Sequence, residues 1–79
     1  MTAPTMVTLA TGVVVSNYSD EWRQECFLRW QKVVSMRPMS LEARRAELAY
    51  VERLQGALAR QRLEEEFRRD WTARKARTP

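Results

Sequence analysis

Apolar positions along this chain change their spacing once, near residue 19. Before it, Met6-Val7-Thr8-Leu9 and Val13-Val14-Val15 form two short apolar runs separated by Ala10-Thr11-Gly12. Valine and threonine favour extended backbone, and Gly12 supplies the positive φ of a three-residue hairpin turn. The pattern predicts two strands, about 6–9 and 13–16. A lone hairpin is marginal in water, so it must lie against the rest of the chain. The alternative is an extended arm that orders only on a partner.

Beyond residue 19 the spacing becomes helical. Asn17-Tyr18-Ser19-Asp20-Glu21 offers a capping side chain and then acidic residues where the helix dipole favours them. A first helix is predicted over about 20–36. Trp22, Cys26, Trp30, Val33 and Val34 form its expected buried face, with Phe27 beside it and Arg23, Gln24, Gln31 and Lys32 outside. Arg37-Pro38 ends it, because proline disfavours helical geometry in the residue before it. Ser40 is the next cap, with Glu42 in the first turn. The second helix, about 41–55, is expected to turn Leu41, Leu48, Val51 and Leu54 inward.

Gly56 sets the next boundary. Within a helix it costs about 1 kcal/mol relative to alanine, whereas just after one it is the favoured terminator. A break there gives a third helix over about 57–75. The competing reading is one helix from Leu41 to Lys75, along which Val51, Gln55, Ala59, Leu63, Phe67 and Trp71 make a continuous i,i+4 row. The glycine preference favours the break. The expected fold is mainly α: a short N-terminal β-hairpin, then two or three packed helices, in one small domain spanning 1–79. Residues 1–5 are expected to fray, and 68–79 form a basic tail.

Composition narrows the picture. At 79 residues, with 44% hydrophobic and 30% charged side chains, the chain suits a single globular unit rather than a disordered one. A core of this size seldom leaves more than about 3–5 kcal/mol of net stability. Small chains gain more through disulfides, metals or self-association. The one cysteine cannot close an internal disulfide, and no metal-ligand spacing is visible, so a homodimer is a reasonable expectation. A single cysteine also fits a reducing compartment, and the cytoplasm is the expected location. The uncharged stretch 1–19 lacks a basic start, and Pro4, four threonines, Gly12 and Asn17 interrupt it. It reads as neither a signal peptide nor a membrane span.

The net charge of +4 is unevenly placed. From Met1 to Phe67, nine cations balance nine anions; beyond it Arg68, Arg69, Arg74, Lys75 and Arg77 oppose only Asp70. The basicity therefore belongs to the tail.

Catalytic chemistry finds little support. The chain has no histidine, which removes the usual activation of Cys26; on an apolar helical stripe that cysteine acts as a small hydrophobe. Glu64-Glu65-Glu66 cannot converge on one ion, because consecutive helical residues point about 100° apart. Their neighbours instead suggest a solvated, ion-paired face: Arg60 with Glu64, Glu64 with Arg68, Glu65 with Arg69 and Asp70 with Arg74. Nothing resembles a phosphate-binding glycine loop, a Ser/His/Asp set or a zinc pattern. The expectation is a protein that is not an enzyme and carries no cofactor.

Binding is the better-supported trade. Trp, Tyr and Arg dominate interaction hot spots, and seven aromatics are a full load for so small a core. Trp22, Trp30, Leu63 and Phe67 are expected to pack together inside. Tyr18, Tyr50, Phe27 and Trp71 are expected to reach the surface. The candidate partner-binding residues are Tyr18, Tyr50, Trp71, Arg68, Arg69, Arg74, Lys75 and Arg77. The same basic tail gives the alternative reading, salt-sensitive nucleic-acid binding, opposed by the glutamate triplet just upstream. A mixed polar face argues against a membrane surface.

Leu9-Ala10-Thr11-Gly12 and Ser19-Asp20-Glu21-Trp22-Arg23-Gln24-Glu25-Cys26 resemble a family of small tailed-phage and prophage accessory proteins with the pattern ATG…SxEWRxEC. Arg44-Arg45-Ala46-Glu47-Leu48, Val51-Glu52-Arg53 and Gly56-Ala57-Leu58-Ala59 are similar to its second half. The chain departs from the pattern in lacking an acidic residue after Gly12 and in carrying Phe27-Leu28-Arg29 where that family has Glu-Ala-Arg. The resemblance brings no activity with it. It implies an accessory role in a host cell, where small phage proteins bind and block host machinery, including defence assemblies such as CRISPR effectors. The expected partner is thus a host protein or nucleoprotein complex.

Overall fold

The computed structural model describes residues 3–77; the outermost residues of the expected frayed segment and basic tail lie outside the described residues. A two-stranded antiparallel hairpin, β1 (Met6–Thr8) and β2 (Val14–Ser16), precedes three helices: α1 (Asp20–Met36), α2 (Leu41–Gln55) and α3 (Ala57–Arg77). The register pairs Met6 with Ser16, Val7 with Val15 and Thr8 with Val14. The Gly12 N–H donates to the Leu9 carbonyl at 2.9 Å, and Gly12 adopts the positive φ of 93° that the turn requires. Thr5 is tied to Asn17 by backbone and side-chain bonds of 2.8 and 3.2 Å. The hairpin rests on the helices, as its marginal stability demanded: the Ala10 N–H donates to Glu25 Oε1 of α1 at 2.6 Å.

Each predicted helix start is present. Ser19 Oγ accepts from the Trp22 N–H at 3.3 Å, and Ser40 Oγ accepts from the Ala43 N–H at 3.1 Å. Gly56, with φ 97° and ψ 172°, separates α2 from α3, and its N–H donates to the Glu52 carbonyl. The single long helix is therefore not formed. The break lets α2 fold back beside α3, so that Glu52 meets Arg60 near the turn and Arg44 meets Trp71 at the far end.

The third helix is the spine. α1 runs parallel to it, pairing Glu25 with Arg62, Arg29 with Glu66 and Arg37 with Asp70 in the same order, and also reaches α2 through Lys32 and Glu47. Val33, Met36, Val51, Ala59, Leu63 and Phe67 form the buried core, with Ala10, Met39 and Leu48 packed on its edge. The arrangement is flat, with extents of 41 × 34 × 15 Å. Its Cα radius of gyration is 14.2 Å, where a compact chain of this length has about 12 Å.

Flatness corrects several burial expectations. Val33 and Met36 are buried as seam residues of α1, but Trp30 is 52% exposed, and Trp22, Cys26 and Val34 are half-buried. Steps of four drift around a helix, so Trp30 is turned about 80° from Trp22. The true seam is 22, 26, 29, 33, 36, which puts Arg29 at the inner position and leaves Trp30 outside. In α2, Val51 is buried and Leu48 half-buried, whereas Leu41 and Leu54 are exposed. That helix packs mainly along α3 and meets α1 at few points, too little to cover an inward stripe of four. The expected cluster of Trp22, Trp30, Leu63 and Phe67 thus reduces to Leu63 and Phe67 inside.

Candidate interaction surface

Two indole rings are held by arginines. Trp22 has the guanidinium of Arg62 5.4 Å and that of Arg29 5.9 Å from its centroid. Trp71 has Arg44 at 5.5 Å and Arg74 at 5.6 Å, and stacks on Phe67 at 6.3 Å. Cation–π contacts of this kind contribute about 0.5–1 kcal/mol at exposed sites.

The charges around the two rings differ. Where α1 packs on α3 and α2 the cations are neutralised. Glu25 Oε2 accepts from Arg62 at 2.8 Å and from Arg29 at 3.3 Å, and Arg29 also lies 3.2 Å from Glu66. Lys32 reaches Glu47 on α2 at 2.6 Å. Asp70 accepts two bonds from Arg37, of 3.1 and 2.6 Å, and one from Arg74 at 2.9 Å. The hydrogen-bonded Arg37 guanidinium holds the Asp70 carboxyl below its ordinary value; burial opposes it, and Arg74 adds a lesser lowering. Of the glutamate triplet, Glu64 pairs with Arg60 at 2.8 Å, as expected, and Glu65 accepts from Gln61. Glu66 departs from the expected solvated face by bridging to α1.

At the other end of the molecule the balance is different. Between α2 and α3 lies a cleft of about 460 Å³ with Met36, Leu48 and Phe67 in its floor. Leu41 and Trp71 form its apolar walls, and Arg44, Arg45 and Arg68 its cationic rim. These three arginines have no carboxylate within 4.0 Å among the described residues. Arg44 lies 5.0 Å over Phe67, and its Nε is buried without a hydrogen-bond acceptor. Glu64, the one acidic lining residue, is already engaged by Arg60.

Of the residues singled out from sequence, the structure gathers Trp71, Arg68 and Arg74 around this end of α3. Arg69 shares a shallow recess with Arg68, Thr72 and Ala76. Lys75 and Arg77 are exposed in the last turns of α3. Tyr18 and Tyr50 are exposed as expected but line neither place; Tyr50 carries Arg53 over its ring at 5.4 Å. Sequence reasoning missed Leu41, Arg44 and Arg45. The signal was present: Leu41, Arg44, Leu48 and Val51 form a helical stripe, and an arginine inside an apolar stripe is out of place unless something meets it. A second apolar patch is formed on α1, where exposed Phe27 and Trp30 stack at 6.5 Å.

Among the described residues, no group of three or more His, Cys, Asp or Glu is placed to hold a metal ion, and no helix is long and apolar enough to cross a membrane. Comparison of the chain with protein-family models, with curated proteins and with solved structures gives no match.

Proposed function

We propose that this chain is a non-enzymatic protein-interaction module that binds the surface of a larger host complex and blocks it. The observation that carries this reading is the distribution of large apolar side chains. Among the described residues, six hydrophobic side chains are buried, while eleven large ones, including Trp30, Trp71, Phe27, Tyr18 and Tyr50, are exposed. The three helices share one small core, which leaves many of their large apolar side chains uncovered. The accessible surface is 6036 Å², roughly 1,000 Å² more than a compact chain of this mass exposes. That excess matches what one partner contributes to a standard interface, about 800 Å².

The resemblance to phage accessory proteins supplies the setting, a host assembly such as a defence effector. The charge arrangement supports binding over chemistry, since Glu25 and Asp70 are taken up by arginines. The test is reconstitution. A partner captured from host extract is purified and mixed with the chain, and hydrogen exchange is compared free and bound. The reading expects a stoichiometric complex with exchange slowed around the exposed aromatic residues. Failure to form any stoichiometric complex, across hosts and at low salt, contradicts it.

A further inference from the structure

We propose that the cleft between α2 and α3 is the docking site for an acidic polypeptide segment carrying a large apolar side chain. This rests on the interaction-module reading and names where, and with what chemistry, the partner is engaged. Shape and charge are both complementary to such a segment. The apolar walls of Leu41 and Trp71 stand above a floor that is already core, so an entering Leu or Phe side chain displaces water from a preformed surface. Around it, Arg44, Arg45 and Arg68 carry positive charge that no described side chain of the fold neutralises, unlike the cations where α1 packs on α3 and α2. Carboxylates pair with guanidinium groups in a bidentate fork, which Arg45 and Arg68 are exposed enough to offer.

A nucleic-acid strand fits less well. Glu64 lies on the rim, and the walls are aliphatic apart from one indole, so a base has a single stacking platform. The order of the cations also matters. Arg44 and Arg45 lie on α2 and Arg68 on α3, facing each other across an apolar gap rather than tracking a backbone along one line.

The test is an amide NMR titration of the intact chain with a short peptide alternating Asp or Glu with Leu and Phe. Arg45→Glu and Arg68→Glu are parallel samples, and a single-stranded thymidine oligonucleotide is a competitor. Both arginines are exposed, so their reversal leaves the fold intact. The expected result is saturable shifts at Leu41, Arg44, Leu48 and the Trp71 indole N–H, with affinity falling by about tenfold or more for each charge reversal. Shifts centred on Phe27 and Trp30, equal affinity in the reversed variants, displacement by the oligonucleotide, or no saturable shift would each overturn the assignment. A host complex that forms undiminished with Arg45→Glu and Arg68→Glu sinks this cleft while leaving the interaction-module reading standing.

Discussion

Arg37 grips Asp70 through two near-parallel N–H···O bonds, Nε to Oδ2 at 3.1 Å and Nη2 to Oδ1 at 2.6 Å, joining residues 33 positions apart. Arg37 is the residue at which α1 ends, and Asp70 lies two-thirds of the way along α3, so the pair fixes how far the two parallel helices slide past each other. Arg74 closes on the same carboxylate from the next turn. In a flat molecule with a six-residue core, such clasps set the geometry that apolar packing alone leaves loose.

Acid should open this clasp. Because the Asp70 carboxyl titrates below its ordinary value in the folded chain, its contribution is complete above the unfolded value of about 3.9 and is lost as pH falls through the lower folded value. Stability followed by thermal melts is therefore expected to hold near neutrality and to fall below about pH 4. Asp70→Asn is expected to lower stability by about 1 kcal/mol near neutrality and to flatten the acid limb. An unchanged acid limb in Asp70→Asn would remove Asp70 from this role.

Glu25 is a hub whose loss should be felt at a distance. Its two oxygens receive the Ala10 N–H, Arg29 and Arg62, so it links hairpin, α1 and α3. Glu25→Ala is expected to cost about 1–3 kcal/mol, and to speed amide exchange at Ala10 more than at the Ala43 cap. Equal exchange at both sites in wild type and variant would contradict the link.

At Gly56 only the backbone is at stake. A Cβ there meets nothing within 4 Å, so any penalty comes from φ 97° alone. Gly56→Ala is expected to cost about 1–3 kcal/mol in chemical denaturation, whereas D-alanine placed by synthesis, which accepts positive φ, should be neutral or stabilising. If both enantiomers were equally harmful, crowding rather than conformation would be the cause.

Core and surface should separate cleanly by mutation. Leu63→Ala, at a side chain 3% exposed, is expected to lose about 2–5 kcal/mol, while Trp30→Ser should stay within about 0.5 kcal/mol of wild type. A large loss in Trp30→Ser would mean that this indole packs inside.

Local signals in the sequence carried most of the fold. Ser19, Ser40, Gly12 and Gly56 each act through their own backbone neighbours, and each element boundary they implied is present to within a residue or two. Burial was harder to read because it depends on how many neighbours an element finds. Trp22, Cys26 and Trp30 look like one buried row on a helix drawn flat, yet the row winds away from the seam, and α3 is too narrow to follow it. The interaction surface was half legible. Trp71 and Arg68 share one helix and were visible together, whereas Arg44 and Arg45 join them only because Gly56 folds α2 back along α3.

Large apolar rings stand exposed on a flat molecule, and the proposed binding role depends on that exposure. Acrylamide quenching of Trp30 alone, in a chain carrying Trp22→Phe and Trp71→Phe and shown by sedimentation to be monomeric, tests it most directly. The expected result is emission and quenching close to those of a solvated indole. Blue-shifted emission with strong protection from acrylamide in the monomer would show a closed core and contradict the account.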